Sequence, residues 1–176
     1  MQQFSHHVSI ALFAGAKKLF WLYTILALAL DLWTKHMLFM PDDGTHEKID
    51  IIPGLLRIAP HGGNVQGAFG LGPANPMFFA VVALLGLAVI LILLWRMPPH
   101  RWHVHTALGL LAGGAMGNLY DRLALGFVRD FVDLYWRRWH WPTFNGADIA
   151  IFLGVASILL AAWKNRRSDK TETPHG

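Results

Sequence analysis

The sequence predicts an all-α membrane protein of four transmembrane helices. Two observations lead there. Of its 176 residues, 54% are hydrophobic and only 15% are charged, whereas soluble domains run about 45–50% apolar and about 25% charged. The mean hydropathy is correspondingly positive, +0.37. Four apolar runs also approach the roughly 20 residues a helix needs to cross a bilayer, and basic residues gather at their ends. The length suits a single domain.

Taken in order, residues 1–16 read as a cytoplasmic N-terminal tail that can lie on the membrane. The run from Val8 to Ala16 lacks a basic segment before it, and Lys17 and Lys18 follow it, so a cleaved signal peptide is not expected. The membrane domain spans 17–166, with helices expected at 19–40, 76–95, 103–120 and 147–163. Asn75 can cap the second helix, and Pro76 suits a first helical position. Residues 167–176 are polar and form a cytoplasmic tail expected to be disordered.

Charge orients the spans. Lys17 and Lys18, Arg96 and Arg101, and Lys164, Arg166, Arg167 and Lys170 all fall on one side if the four helices cross, which makes that side cytoplasmic. Both termini then lie inside. Arg122, Arg129, Arg137 and Arg138 run against the rule on the outer side, and three of them have Asp121, Asp130 or Asp133 within a few residues. In the first outer segment, Ile49 to Ile58 reads as two short strands around the Pro53-Gly54 turn. The second outer segment mixes Tyr135, Trp136, Trp139 and Trp141 with arginines, a composition that sits at headgroup level.

Several function classes drop out. Cysteine is absent, so there is no disulfide, thiol nucleophile or thiolate metal site. The net charge of +4 forms no basic face or nucleic-acid motif. The histidines make no His-Glu-x-x-His pattern, so neither a metal nor another cofactor is expected. His36 and His140 could approach a site from outer segments, although headgroup contact suits them better. The glycines from Gly62 to Gly72 match no phosphate loop.

Gly109, Gly113 and Gly117 recur every four residues on one face of the third helix, where a second helix can approach closely. Ala147, Ala150, Gly154, Ser157 and Ala161 line one face of the fourth. Packing of these two helices is expected to bring Asn118 and Asp121 near Asp148. Asp31 and Lys35 stand four apart, acid first, the favoured order for a helical ion pair.

Four of the eleven acidic residues fall between Gly117 and Ala150: Asp121, Asp130, Asp133 and Asp148. Ion pairing is one reading, Asp121 with its neighbour Arg122 and Asp133 facing solvent. Asp130 differs, set among Val128, Phe131 and Val132, as does Asp148 at a helix start, where the dipole favours a carboxylate. Two carboxylates in a partly dry site share a proton. Such a pair can activate water and protonate a leaving amine without a metal.

Four blocks in order resemble the bacterial lipoprotein signal peptidases (signal peptidase II): Asp31-Leu32-Trp33-Thr34-Lys35, Gly117-Asn118-Leu119-Tyr120-Asp121-Arg122, Gly126-Phe127-Val128-Arg129-Asp130-Phe131 and Phe144-Asn145-Gly146-Ala147-Asp148. A fifth block departs. The family's Asn-x-Gly-Ala-Ala-Phe stands here as Asn64-Val65-Gln66-Gly67-Ala68-Phe69. The resemblance implies four spans with a small extracytoplasmic β-element and an active site near the outer leaflet of the bacterial inner membrane. It makes Asp130 and Asp148 the catalytic aspartates and Asn64 and Arg122 substrate-holding residues. Asn118, Asp121 and Asn145 become positioners, Asp31 with Lys35 a brace, and Asp133 receives no role. The implied substrates are prolipoproteins carrying a diacylglyceryl-modified cysteine, cut just before it. Membrane lipid surrounds the enzyme, a monomer is expected, and the peptide antibiotic globomycin is the expected inhibitor.

The competing class is a small proton-coupled transporter or channel, which would lean on Asp31 as the deepest carboxylate. The acids instead cluster at outer helix ends. A non-catalytic scaffold would tolerate Asn at both candidate aspartates. A presenilin-type protease is disfavoured because no Gly-x-Gly-Asp occurs.

Overall fold

The computed structural model describes residues 2–66 and 72–171, with side chains at 15–66 and 72–164. In chain order the elements are α1 (Gln2–Leu38), β1 (Ile49–Ile52), β2 (Leu56–Ile58), α2 (Pro76–Arg96), α3 (Trp102–Ala124), β3 (Val132–Trp136), β4 (Trp139–His140) and α4 (Gly146–Thr171). Helix α1 runs through the stretch expected as a tail, and α4 extends into the stretch expected as the C-terminal one. Residues 172–176 of that tail, and Gly67, Ala68 and Phe69 of the departing block, lie outside the described residues.

Helix α3 is central and packs against each of the other three. Glycine spacing explains how. A Cβ on Gly109 would stand 2.5 Å from the Phe20 carbonyl oxygen, and one on Gly113 would stand 2.6 Å from that of Thr24. One on Gly117 would strike the Asp31 carboxylate. The stripe therefore faces α1, which corrects the expectation that it serves α4. Gly114 meets α4 instead, against Ala147 and Ile151, while Gly154 of α4 returns the contact against Ala107 and Leu111. Spacing shows that a face permits close approach, but not which helix uses it.

Phe20, Leu94, Leu108 and Ala112 form the buried core, with Ile158 packed against them, so all four helices contribute. The Lys17 ammonium lies 3.7 Å over the Trp95 ring. That places the Lys17 turn of α1 beside the end of α2, at the basic end of the bundle. Asn75 caps α2 as expected, accepting from the backbone N–H of Met77 at 3.0 Å and of Phe78 at 3.3 Å. Of α2 only Ala80 and Leu94 are buried, and Leu85, Val89 and Trp95 are among the large side chains it exposes. Among the described residues, α2 over Pro76–Arg96 and α4 over Gly146–Lys164 are long and apolar enough to cross a membrane.

The expected strand pair around Pro53-Gly54 forms, and Gly54 takes the positive φ of +80° that the turn requires. The aromatic segment adds a hairpin that the sequence reading does not contain. The result is a four-stranded antiparallel sheet in the order β1-β2-β3-β4. Its two faces differ. Leu56 opposite Leu134, Ile58 opposite Val132 and Trp136 opposite Trp139 make one apolar. Arg57 opposite Asp133 and Tyr135 opposite His140 make the other polar. Asp133 is buried rather than solvent-facing, accepting from Arg57 Nε at 2.8 Å and lying 3.0 Å from His140 Nδ1. His140 stacks on Tyr135, with ring centroids 5.9 Å apart.

Candidate active site

The end of the bundle opposite Lys17 collects polar side chains from five segments. Helix α1 supplies Asp31 and Lys35; α3 supplies Asn118, Asp121 and Arg122; the segment before β3 supplies Asp130. Asn145 and Asp148 stand at the start of α4, and Asn64 follows β2.

Asp31 and Lys35 pair at 2.7 Å with both side chains fully buried. The other Asp31 oxygen accepts from the backbone N–H of Ala147 at 2.7 Å, one of the amides that a helix start leaves unbonded. Asp31 thus docks α4 onto α1. Lys35 also lies 3.3 Å from Asp121. Asp121 does not pair with its neighbour Arg122. Its Oδ1 accepts from Arg129 Nη2 at 2.7 Å and Nε at 3.1 Å, and its Oδ2 from the Arg129 backbone N–H at 3.0 Å. Consecutive helical residues point apart, so adjacency in sequence predicts no pair.

Asp130 and Asp148 are held differently. Among the described residues neither forms an ion pair, and their oxygens are met by amides. Asp130 accepts from Asn145 Nδ2 at 2.7 Å on Oδ1 and from Asn64 Nδ2 at 3.0 Å on Oδ2. Asp148 accepts from Asn118 Nδ2 at 3.0 Å on Oδ1 and from the Asn145 backbone N–H at 3.1 Å on Oδ2. Asn145 Oδ1 in turn accepts from the Asp148 backbone N–H at 3.2 Å. This is a reciprocal capping box, with Asn and Asp three residues apart. Helix capping therefore fixes Asp148, and the same Asn145 amide reaches Asp130.

Neighbours fix which way the amides point. Asn118 Oδ1 accepts from Lys35 Nζ at 2.9 Å and from Asn145 Nδ2 at 3.1 Å. A lysine ammonium only donates, so the Asn118 NH2 is left for Asp148. Asn64 Oδ1 accepts from the Gln66 backbone N–H at 2.9 Å, which turns its NH2 towards Asp130. The paired cluster thus sets the hydrogen bonding of the unpaired acids.

Burial, then the nearby charge of Asp148, raise the Asp130 carboxyl from its ordinary value to about 7, against the opposing hydrogen bonds of Asn64 and Asn145 and the charge of Lys35. Near neutral pH the two acids can therefore hold one proton between them. Arg122 lies beside them. Its Nη1 donates to the Asn118 carbonyl at 3.1 Å and its Nη2 to the Gln66 carbonyl at 3.4 Å. Its Nε is buried without a hydrogen-bond partner among the described residues, and its guanidinium stands 5.5 Å over the Phe79 ring. An orphaned guanidinium donor next to two acids suits an incoming carbonyl group.

The structure gathers the residues to which the family resemblance gives a role and adds Arg129 and Gln66, while Asp133 and His140 pair on the sheet instead. Neither Arg129 nor Gln66 is marked by sequence as a partner in this cluster. Arg129 is eight residues from Asp121, and Gln66 stands out only as a departure. Among the described residues no group of three or more His, Cys, Asp or Glu side chains could hold a metal ion.

Buried, amide-held carboxylates at one end of a bundle with membrane-length helices are groups suited to acid–base chemistry in a membrane protein. Residues 23–164 match the family described as Signal peptidase (SPase) II. The lipoprotein signal peptidase of Actinobacillus succinogenes is 35% identical over 86% of this chain and 93% of its own length. That of Symbiobacterium thermophilum is 41% identical over 77% and 88%. A solved structure described as a bacterial membrane enzyme superposes with a TM-score of 0.74 at 26% identity, covering 88% of this chain and 93% of its own. The chain belongs to the signal peptidase II family and is a protease of that family.

Proposed function

We propose that this protein is a membrane aspartic endopeptidase that removes the signal peptide from diacylglyceryl-modified prolipoproteins, cutting just before the lipidated cysteine. The family supports the substrate class. The observation that carries the mechanism is the contrast in pairing: Asp130 and Asp148 share Asn145 and have no cation partner among the described residues.

With one proton on the pair, the ionised carboxylate takes a proton from water, whose oxygen attacks the scissile carbonyl. The protonated partner stabilises the carbonyl oxygen as it becomes tetrahedral. Collapse breaks the C–N bond, and the leaving cysteine amine takes a proton from the pair. Asn64 and Arg122 hold the substrate backbone, Arg122 through its orphaned Nε. Asn118, Asp121 and Asn145 position the acids, and Asp31 with Lys35 braces the helices.

The reading extends to the membrane. All four helices span the bacterial inner membrane within a single domain, and charge puts both termini in the cytoplasm. The active site then lies near the outer leaflet. Lipid chains and the signal helix enter sideways from the bilayer, and water comes from outside. The enzyme works as a monomer among membrane lipids, needs no cofactor, and is blocked by globomycin.

The test is cleavage of a lipidated prolipoprotein by the purified protein. The wild type is expected to cut in the presence of EDTA and to stop with globomycin. Asp130→Asn and Asp148→Asn are each expected to lose about 1,000-fold or more. Loss of activity with EDTA, or full activity in either variant, would contradict the mechanism. The active form has one proton on the pair, so the rate falls as pH rises through about 7 and that proton leaves.

A further inference from the structure

Asp130 is followed by Phe131, whose N–H donates to the Phe144 carbonyl at 3.2 Å. Two residues before it, Val128 and Asn64 exchange backbone hydrogen bonds at 2.8 and 2.9 Å. Between these ties the segment has one more anchor, Arg129. Its backbone N–H binds one Asp121 oxygen, and its guanidinium binds the other through Nε and Nη2. Asp121 is fully buried, and the Arg129 side chain is only 15% exposed. Arg129 therefore attaches the peptide next to Asp130 to the last turn of α3.

The charges make the same point. Asp31 and Asp121 carry two negative charges, and Lys35 supplies one positive charge. Arg129 supplies the second. Without it, Asp121 would keep an uncompensated charge inside a cluster that joins the site through Lys35 and Asn118. The charged groups that act on Asp130 are Lys35 from α1, Arg122 from α3 and Asp148 from α4.

We infer that Arg129 is a positioning residue for this reaction, clasping Asp121 so that Asp130 is held at the right depth beside Asp148 and the neighbouring ion cluster stays neutral. Arg129 touches neither substrate nor reacting atoms. It acts through the backbone of Asp130 and the charge of Asp121. The inference rests on Asp130 being catalytic. A displacement of about 1 Å at a reacting group can cost on the order of 100-fold in rate, so the arm of one arginine is enough to matter.

The experiment compares Arg129→Gln, Arg129→Lys and Asp130→Asn in detergent-purified full-length protein cutting a lipidated prolipoprotein. Arg129→Gln is expected to lower kcat on the order of 10- to 100-fold with KM within about twofold, and to move the pH profile upward, since lost positive charge makes the pair harder to deprotonate. Arg129→Lys keeps the charge but not the two-pronged contact, so its pH profile stays put while kcat recovers only in part. In an Asp121→Asn background, Arg129→Gln adds little further loss. Unchanged kcat and pH profile in Arg129→Gln would overturn the inference. So would a full additional loss in the Asp121→Asn background. Activity in Asp130→Asn would overturn the catalytic reading instead, which separates the two failures.

Discussion

Two pairs of aspartates occupy the same end of the bundle and are linked through Asn118, yet they are compensated in opposite ways. Asp31 and Asp121 are met by Lys35 and Arg129, at 2.7 Å in the shortest contacts. Asp130 and Asp148 are met by the amides of Asn64, Asn118 and Asn145. A carboxylate gripped by a buried cation is fixed in place, whereas one met only by amides has no paired cation opposing its protonation. Under the proposed mechanism, position and reactivity are divided between two neighbouring groups. Asn118 passes the orientation imposed by Lys35 on to Asp148.

Breaking the paired group is expected to damage the fold most. Lys35→Met leaves two buried carboxylates without this cation, a change costing about 3–5 kcal/mol. Most of the variant is expected to fail to fold, read as loss of monodisperse protein in size exclusion. A well-folded Lys35→Met would erase the distinction between the pairs. Gly117→Ala comes next, because its Cβ strikes the Asp31 carboxylate. Overpacking of that kind costs about 1–3 kcal/mol, and a lower melting temperature is expected together with slower cleavage.

A pH series sharpens the contrast. The Asp130 carboxyl sits at about 7 in the fold, against about 4 in an unfolded chain. A raised carboxyl favours the native state fully below the unfolded value, and that contribution disappears as pH rises through the folded one. Wild-type melting temperature should therefore fall between pH of about 4 and about 7, and Asp130→Asn should flatten that slope.

The smallest effect is expected at Asp133. Burial alone would raise its carboxyl, but hydrogen bonds from His140 and Arg57 outweigh that and hold it below the usual range. Its contribution is present above the unfolded value and is lost as pH falls through the lowered folded one. Asp133→Asn should loosen the sheet, seen as faster amide exchange in β2 and β3, while cleavage stays near wild type.

The helices and the acids were largely legible in the sequence because apolar length, capping at Asn75 and the motif blocks are local signals. What escaped was pairing across distance. The hairpin of β3 and β4 turns on Arg137 and Arg138, with Arg137 at φ +55°, where Asn or Gly would have signalled a turn. The Trp and Arg composition points to headgroup level and says nothing of a turn. Adjacency offers Arg122 as one partner for Asp121, whereas Arg129 folds back eight residues to take it. Asp133 can face solvent on its local sequence alone, and only the sheet sets Arg57 opposite it.

Cleavage and melting measured on one preparation of Asp130→Asn test the division between the two pairs most directly. The account predicts no detectable cut of a lipidated prolipoprotein while the melting temperature stays within about 4 °C of wild type. Cleavage near the wild-type rate would contradict it, and so would a loss of stability as large as that of Lys35→Met.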